Sequence, residues 1–194
     1  MSAKSSPELW LVRHGATEWT ATGQHTGRTD VVLTDAGRRD AAALFRPLDR
    51  QAFAAAFTSP LGRARETARI AGFADAEVLD DLREWDYGVY EGRTTAEIRE
   101  DVPGWSVWRD PIPQGETIEA VAARAAAVLE RCDAVDGRVV LFAHAHILRI
   151  LTACAVGLDP AAGRVIALDP GSISVIGHEH DYRVIRHWNR LAPS

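Results

Sequence analysis

Leu9-Trp10-Leu11-Val12 is an apolar run long enough for one buried strand, and it stops abruptly on a cation, an imidazole and a glycine, Arg13-His14-Gly15. The pattern recurs. Phe53 to Phe57 runs into Thr58-Ser59-Pro60, and Arg138 to Ala143 runs into His144 and His146. Buried strands that end on polar side chains deliver them to one edge of a sheet, where open α/β proteins bind ligands. The expected architecture is α/β: three layers, a doubly wound and mostly parallel sheet with an antiparallel edge, and helices on both faces.

The segments between these runs fit that expectation. Thr34 is a good N-cap, Asp35 follows it in the first turn, and an Ala-rich helix continues to Phe45. Ser59 and Pro60 read as the cap and first position of a second helix. That reading puts Arg63 in the first turn, where a cation is unfavourable unless something anionic binds nearby. Glu77-Val78-Leu79 suits a short third strand, and Thr94 or Thr95 caps a helix that ends at Glu100. Glu116 to Cys132 is the clearest helix: Ile118, Val121, Ala122, Ala125, Val128, Leu129 and Cys132 form one stripe. Ile147 to Val156 is a largely apolar helix closed by Gly157. Ser172 to Gly177 and Tyr182 to His187 supply the antiparallel edge. The stretches Ala16–Asp30, Asp80–Gly92 and Pro103–Gly115 are aperiodic and read as loops, which carry function at strand ends.

A chain of 194 residues suits one domain, taken as 1–194. Net charge is −5, with no basic run, which argues against nucleic acid. Cys132 and Cys154 lack ligand-like spacing and fit a reducing compartment. Met1 to Pro7 lacks a signal-peptide core and no stretch reaches membrane-spanning length, so a cytoplasmic protein without a membrane partner is expected. No metal or cofactor is expected: His144-Ala145-His146 has no supporting carboxylate or cysteine at ligand spacing.

Four groups from separate parts of the chain then stand out: Arg13-His14, Arg63, Glu84 and His144. Two guanidinium forks and an extra imidazole form a cage for a phosphoryl dianion. A histidine with a free lone pair is a nucleophile. A carboxyl group beside phosphate is pushed towards its protonated form and can protonate a leaving alkoxide, then activate water.

In these residues the chain resembles the histidine phosphatase superfamily, or phosphoglycerate mutase-like proteins, over nearly its whole length. The resemblance rests on Arg13-His14-Gly15, Gly27 with Asp30, Leu33-Thr34 with Gly37, Ser59-Pro60-Leu61 with Arg63-Ala64 and Thr67-Ala68, Leu82 with Glu84, Gly88, Glu91-Gly92, Gly115-Glu116 and His144. It implies that His14 becomes a phosphohistidine, that Arg13, Arg63 and His144 hold phosphoryl oxygens, and that Glu84 is the proton donor. Thr20, Gln24, Thr26, Gly27 and His146 are the implied substrate contacts. The implied activity is hydrolysis of a small phosphorylated metabolite, with inorganic phosphate as product and inhibitor; a homodimer is left open. The alternatives are a phosphoglycerate mutase and a non-catalytic phospho-ligand-binding protein. Glu84-Trp85-Asp86-Tyr87-Gly88 and His144-x-His146-x-x-Arg149 look most like bacterial acid phosphatases and sedoheptulose-bisphosphatase-like members. The chain departs from the family with Thr20 for asparagine, Gln24 for arginine, and Ala143-His144-Ala145 for Ser-His-Gly. It also has Thr95 where mutases carry a basic residue, which argues against that alternative.

Overall fold

The computed structural model describes residues 7–192, so the segment Met1 to Ser6, read as lacking a signal-peptide core, lies outside them. Six strands form one sheet: β1 (Leu9–Arg13), β2 (Phe53–Thr58), β3 (Glu77–Val78), β4 (Arg138–Ala143), β5 (Ser172–Glu179) and β6 (Tyr182–Leu191). Their order is β3-β2-β4-β1-β5-β6. The first four are parallel, and β5 and β6 add the expected antiparallel edge.

Period-two alternation divides the core between the two faces. On β1 and β4, Leu9, Leu11, Val139, Leu141 and Ala143 point to one side. They pack there against α6 (Ile118–Asp133) and α7 (Ala145–Ala155). Val12, Val140 and Phe142 point to the other side. There they meet Leu44 and Leu48 from the region of α2 (Asp35–Ala43) and α3 (Phe45–Asp49), and Ala68 from α4 (Gly62–Ile70). The expected α6 stripe is the face that turns inward, with Val121, Ala125, Val128, Leu129 and Cys132 buried.

Three local expectations are corrected. The stretch after Gly15 holds a short helix, α1 (Glu18–Thr22), because Thr17 and Thr20 cap each other reciprocally. The α4 helix begins at Gly62, not Pro60: Ser59 still donates its backbone N–H to Phe142 across the sheet, at 2.9 Å. Its free N-terminus is served from a distance, by Asp30 Oδ2 accepting from the Gly62 N–H at 2.9 Å. The α7 helix begins at Ala145, with His144 as an N-cap residue that makes no side-chain cap bond. As expected, Thr34 caps α2, and Thr94 with Glu97 closes a capping box on α5 (Thr95–Asp101).

Backbone contact at the end of β1 is close. A Cβ on Gly15 would stand 2.2 Å from the Gly37 carbonyl, and one on Gly37 would stand 2.1 Å from the Ala16 carbonyl. Any side chain at either position would push α2 off the strand end.

Candidate active site

Parallel register brings three strand ends together. Arg13 pairs with Ala143, and the His14 N–H donates to the Ala143 carbonyl at 3.0 Å. His14 and His144 therefore stand side by side, with ring centroids 5.1 Å apart. Both are buried. His14 Nδ1 lies 2.8 Å from the Gly15 carbonyl oxygen. A carbonyl only accepts, so Nδ1 carries the proton and Nε2 keeps the lone pair. Burial holds the His14 ring well below the usual histidine range, and the Arg13 and Arg63 cations push it the same way. The ring is a neutral nucleophile by construction.

Arg63 is nearly fully buried and saturated by protein acceptors. Its Nε donates to His144 Nδ1 at 3.2 Å, one Nη to the Thr29 carbonyl at 2.8 Å, and the other Nη to the Thr26 and Gly27 carbonyls at 3.0 Å each. One of its five N–H groups is left over. Since Arg63 donates to Nδ1, His144 carries its proton on Nε2, which donates to Ser59 Oγ at 2.8 Å. Burial, followed by the Arg63 charge, keeps His144 neutral far into acid. Arg13 contrasts with Arg63. It donates to the Leu168 carbonyl, while its Nε is buried without a partner among the described residues. A buried, empty donor beside a nucleophile calls for an acceptor that arrives with the ligand.

Glu84 fills the gap at the start of α7. Its Oε1 accepts from the Trp85 and Ile147 N–H groups at 3.0 Å each, and its Oε2 from the His146 N–H at 3.1 Å. The carboxylate thus caps a helix 60 residues downstream in sequence order and gains from its dipole. Oε2 retains a lone pair. Behind it lies a wall of rings. Tyr87 Oη and His146 Nδ1 are 2.7 Å apart, and the His146 ring contacts Trp85 and Trp108. Burial lowers His146 well below its usual range, lowers His25 to about 4, and raises Tyr87 well above its usual range.

The implied substrate contacts fall around this cluster in different ways. Thr20 Oγ1 closes the α1 capping box, and Gln24 Nε2 donates to the Gly92 carbonyl at 2.7 Å, so both side chains serve the loop. Thr26 and Gly27 present carbonyls to Arg63. His25 Nε2 meets Thr95 Oγ1 at 3.2 Å, and its ring packs on Tyr87 and Trp105. Sequence reading assigned no site role to Ser59 or Glu91. Glu91 Oε1 accepts from the Gly27 and Thr29 N–H groups at 2.8 and 3.0 Å, clamping the loop whose carbonyls hold Arg63. The only local signal for Glu91 was a carboxylate in a glycine-rich, aperiodic segment.

Residues 9–191 match the histidine phosphatase superfamily, branch 1. The chain is 41% identical to an acid phosphatase of Mycobacterium tuberculosis, covering 90% of this chain and 88% of that one. It is 36% identical to sedoheptulose 1,7-bisphosphatase of Saccharomyces cerevisiae, over 79% of this chain and 69% of the relative. A solved structure of an open-reading-frame product from Mycobacterium tuberculosis superposes with a TM-score of 0.90 at 36% identity, covering 96% of this chain and 99% of that one. The chain belongs to the histidine phosphatase superfamily and has its phosphoglycerate mutase-like fold. It is an enzyme of the phosphatase type that the superfamily defines.

Proposed function

We propose that the protein hydrolyses a small phosphorylated metabolite through a phosphohistidine on His14. The observation that carries this reading is the His14 ring itself: neutral, its Nδ1–H pinned to the Gly15 carbonyl, its Nε2 lone pair free, between Arg13 and His144. Nε2 attacks phosphorus and the P–O ester bond breaks. The leaving oxygen takes a proton from Glu84, whose Oε2 can hold it without losing the His146 bond. Water then attacks phosphorus and gives its proton back to Glu84. The N–P bond breaks, inorganic phosphate leaves, and His14 regains its lone pair. Arg13, with its empty Nε, and the remaining N–H of Arg63 supply charge-assisted bonds to the phosphoryl oxygens. His144 orients Arg63 through Nδ1 and stands ready to turn its Nε2–H from Ser59 to the phosphoryl group.

The names of the acid phosphatase and bisphosphatase relatives support hydrolysis of a phosphorylated metabolite over binding alone. Residues 1–194 are read as one such domain. Among the described residues no helix is long and apolar enough to cross a membrane, in keeping with the proposed cytoplasmic setting. Inorganic phosphate is the expected product and competitive inhibitor. The test is His14→Ala. It should cut turnover by ~10⁴-fold or more with the far-UV spectrum unchanged. Rapid quench of the unaltered enzyme should trap an acid-labile, base-stable label on His14. Robust turnover by the alanine variant would end the covalent reading.

A further inference from the structure

Arg149 lies on α7, one turn beyond Glu84's backbone contacts at His146 and Ile147. Its Nε donates to the Gly163 carbonyl at 2.8 Å. Its guanidinium carbon sits 4.7 Å from the centroid of the Trp108 ring. Trp108 in turn packs on His146, with centroids 5.1 Å apart, and His146 meets Tyr87. The guanidinium is thus held in one place by a bond and a stacking face. Its two terminal nitrogens carry four N–H groups and have no acceptor among the described residues.

The position is electrostatically part of the site. The Glu84 carboxylate and Tyr87 favour the Arg149 charge, and that charge acts on Arg13 and on His146. Half-burial makes an unpaired guanidinium costly, so a fixed and open fork here is an arrangement awaiting an anion. A cation kept only for packing on Trp108 would be served by Nε and the stack, with its terminal nitrogens in water. His146, Trp85 and Tyr87 separate Arg149 from the His14 cage, so one phosphoryl group does not fill both places.

We propose that Arg149 is a specificity-determining residue that binds a second anionic group of the substrate, a phosphate or a carboxylate at the far end of a short carbon skeleton. The preferred substrate class is therefore a phosphomonoester with a second negative charge. This rests on the phosphatase reading of the His14 site, and the aromatic wall between the two guanidinium positions would cover the skeleton.

Binding without turnover tests it. In the His14→Ala background, calorimetry would compare fructose 1,6-bisphosphate, 3-phosphoglycerate and fructose 6-phosphate. At least one of the first two should bind about tenfold more tightly than the monophosphate, the size expected of one charge-assisted contact. Which one does so identifies the second group as phosphate or carboxylate. Arg149→Met should erase the preference, and Arg149→Lys, which keeps charge but loses the fork, should retain part of it. In active enzyme, Arg149→Met should lower the kcat/KM ratio of the preferred substrate to p-nitrophenyl phosphate by a similar factor. No preference for either doubly anionic ligand, a preference that survives in both variants, or an equal loss for all three ligands would overturn the proposal. Failure of the phosphatase reading shows separately, as an absent His14 label in the unaltered enzyme, while the binding comparison still reports on Arg149.

Discussion

On the α4 flank of the site, Arg63 donates to three backbone carbonyls and to His144, which donates onward to Ser59. On the α7 flank, Arg13 and Arg149 are each fixed by one carbonyl and leave their remaining nitrogens open, against a wall of Trp85, Tyr87, His146 and Trp108. Both flanks carry guanidinium and imidazole groups, yet they spend their hydrogen bonds differently. The α4 flank is a structural lattice with one donor to spare. The α7 flank holds donors in reserve. A residue type found at a site therefore does not fix its task; the allocation of its donors does.

Glu84 offers the largest test of the contrast, because it both caps α7 and is proposed to move a proton. Glu84→Gln keeps the shape but has one acceptor oxygen and no transferable proton. Phosphorylation of His14 by a sugar phosphate should slow by ~10²–10⁴-fold, the usual worth of general acid catalysis. With p-nitrophenyl phosphate, whose phenolate leaves unaided, the loss should be far smaller. Single-turnover quench isolates this step. Equal slowing of both substrates would reduce Glu84 to a helix cap.

Next in size is a matched pair on the two flanks. Arg63→Met strands three carbonyls and the His144 Nδ1 acceptor, and each unsatisfied buried group costs about 1–3 kcal/mol. Its melting temperature should drop by roughly 5 °C or more, since 1 kcal/mol is worth about 2–4 °C in a domain of this size. Phosphate inhibition should weaken at the same time. Arg13→Met should weaken phosphate inhibition by about tenfold while leaving the melting temperature within about 2 °C. Calorimetric scans with and without phosphate read both effects. Equal destabilisation by the two substitutions would erase the distinction between lattice and reserve.

The smallest effect is shared by both flanks and appears in acid. His14 and His144 on one side, and His25 and His146 on the other, are held neutral by burial. Each titrates near 6.5 when unfolded and lower when native, so the unfolded chain binds more protons in between. Stability is then full above about pH 6.5 and falls as pH drops towards 4. His25, lowered from 6.5 to about 4, accounts for on the order of 3 kcal/mol across that window. The urea midpoint should fall between pH 7 and 4.5, and His25→Gln should flatten part of the slope. A midpoint independent of pH would show that these rings charge freely in the native state.

Much of this was legible before any coordinates. Alternation and abrupt polar ends marked β1, β2 and β4, and the Glu116–Cys132 stripe marked α6 to within two residues at its start and one at its end. Those signals are local. The starts of α4 and α7 were misplaced because their N-termini are served by Asp30 and Glu84 from distant loops, and no spacing within either helix records that. The α1 helix was missed because five residues held by a Thr17–Thr20 box show no apolar period.

By itself the sequence determined the strands, their polar ends and the inventory of Arg13, His14, Arg63, Glu84 and His144, since periodicity and residue chemistry act over a few positions. Only the tertiary structure decided which donors are consumed and which stay open. Arg63 finds its partners 34 to 81 residues away in the chain, through packing that brings the Thr26–Thr29 loop and the β4 end to one point. Arg149 keeps its terminal nitrogens open because Trp108 and Gly163 fix only its face and its Nε.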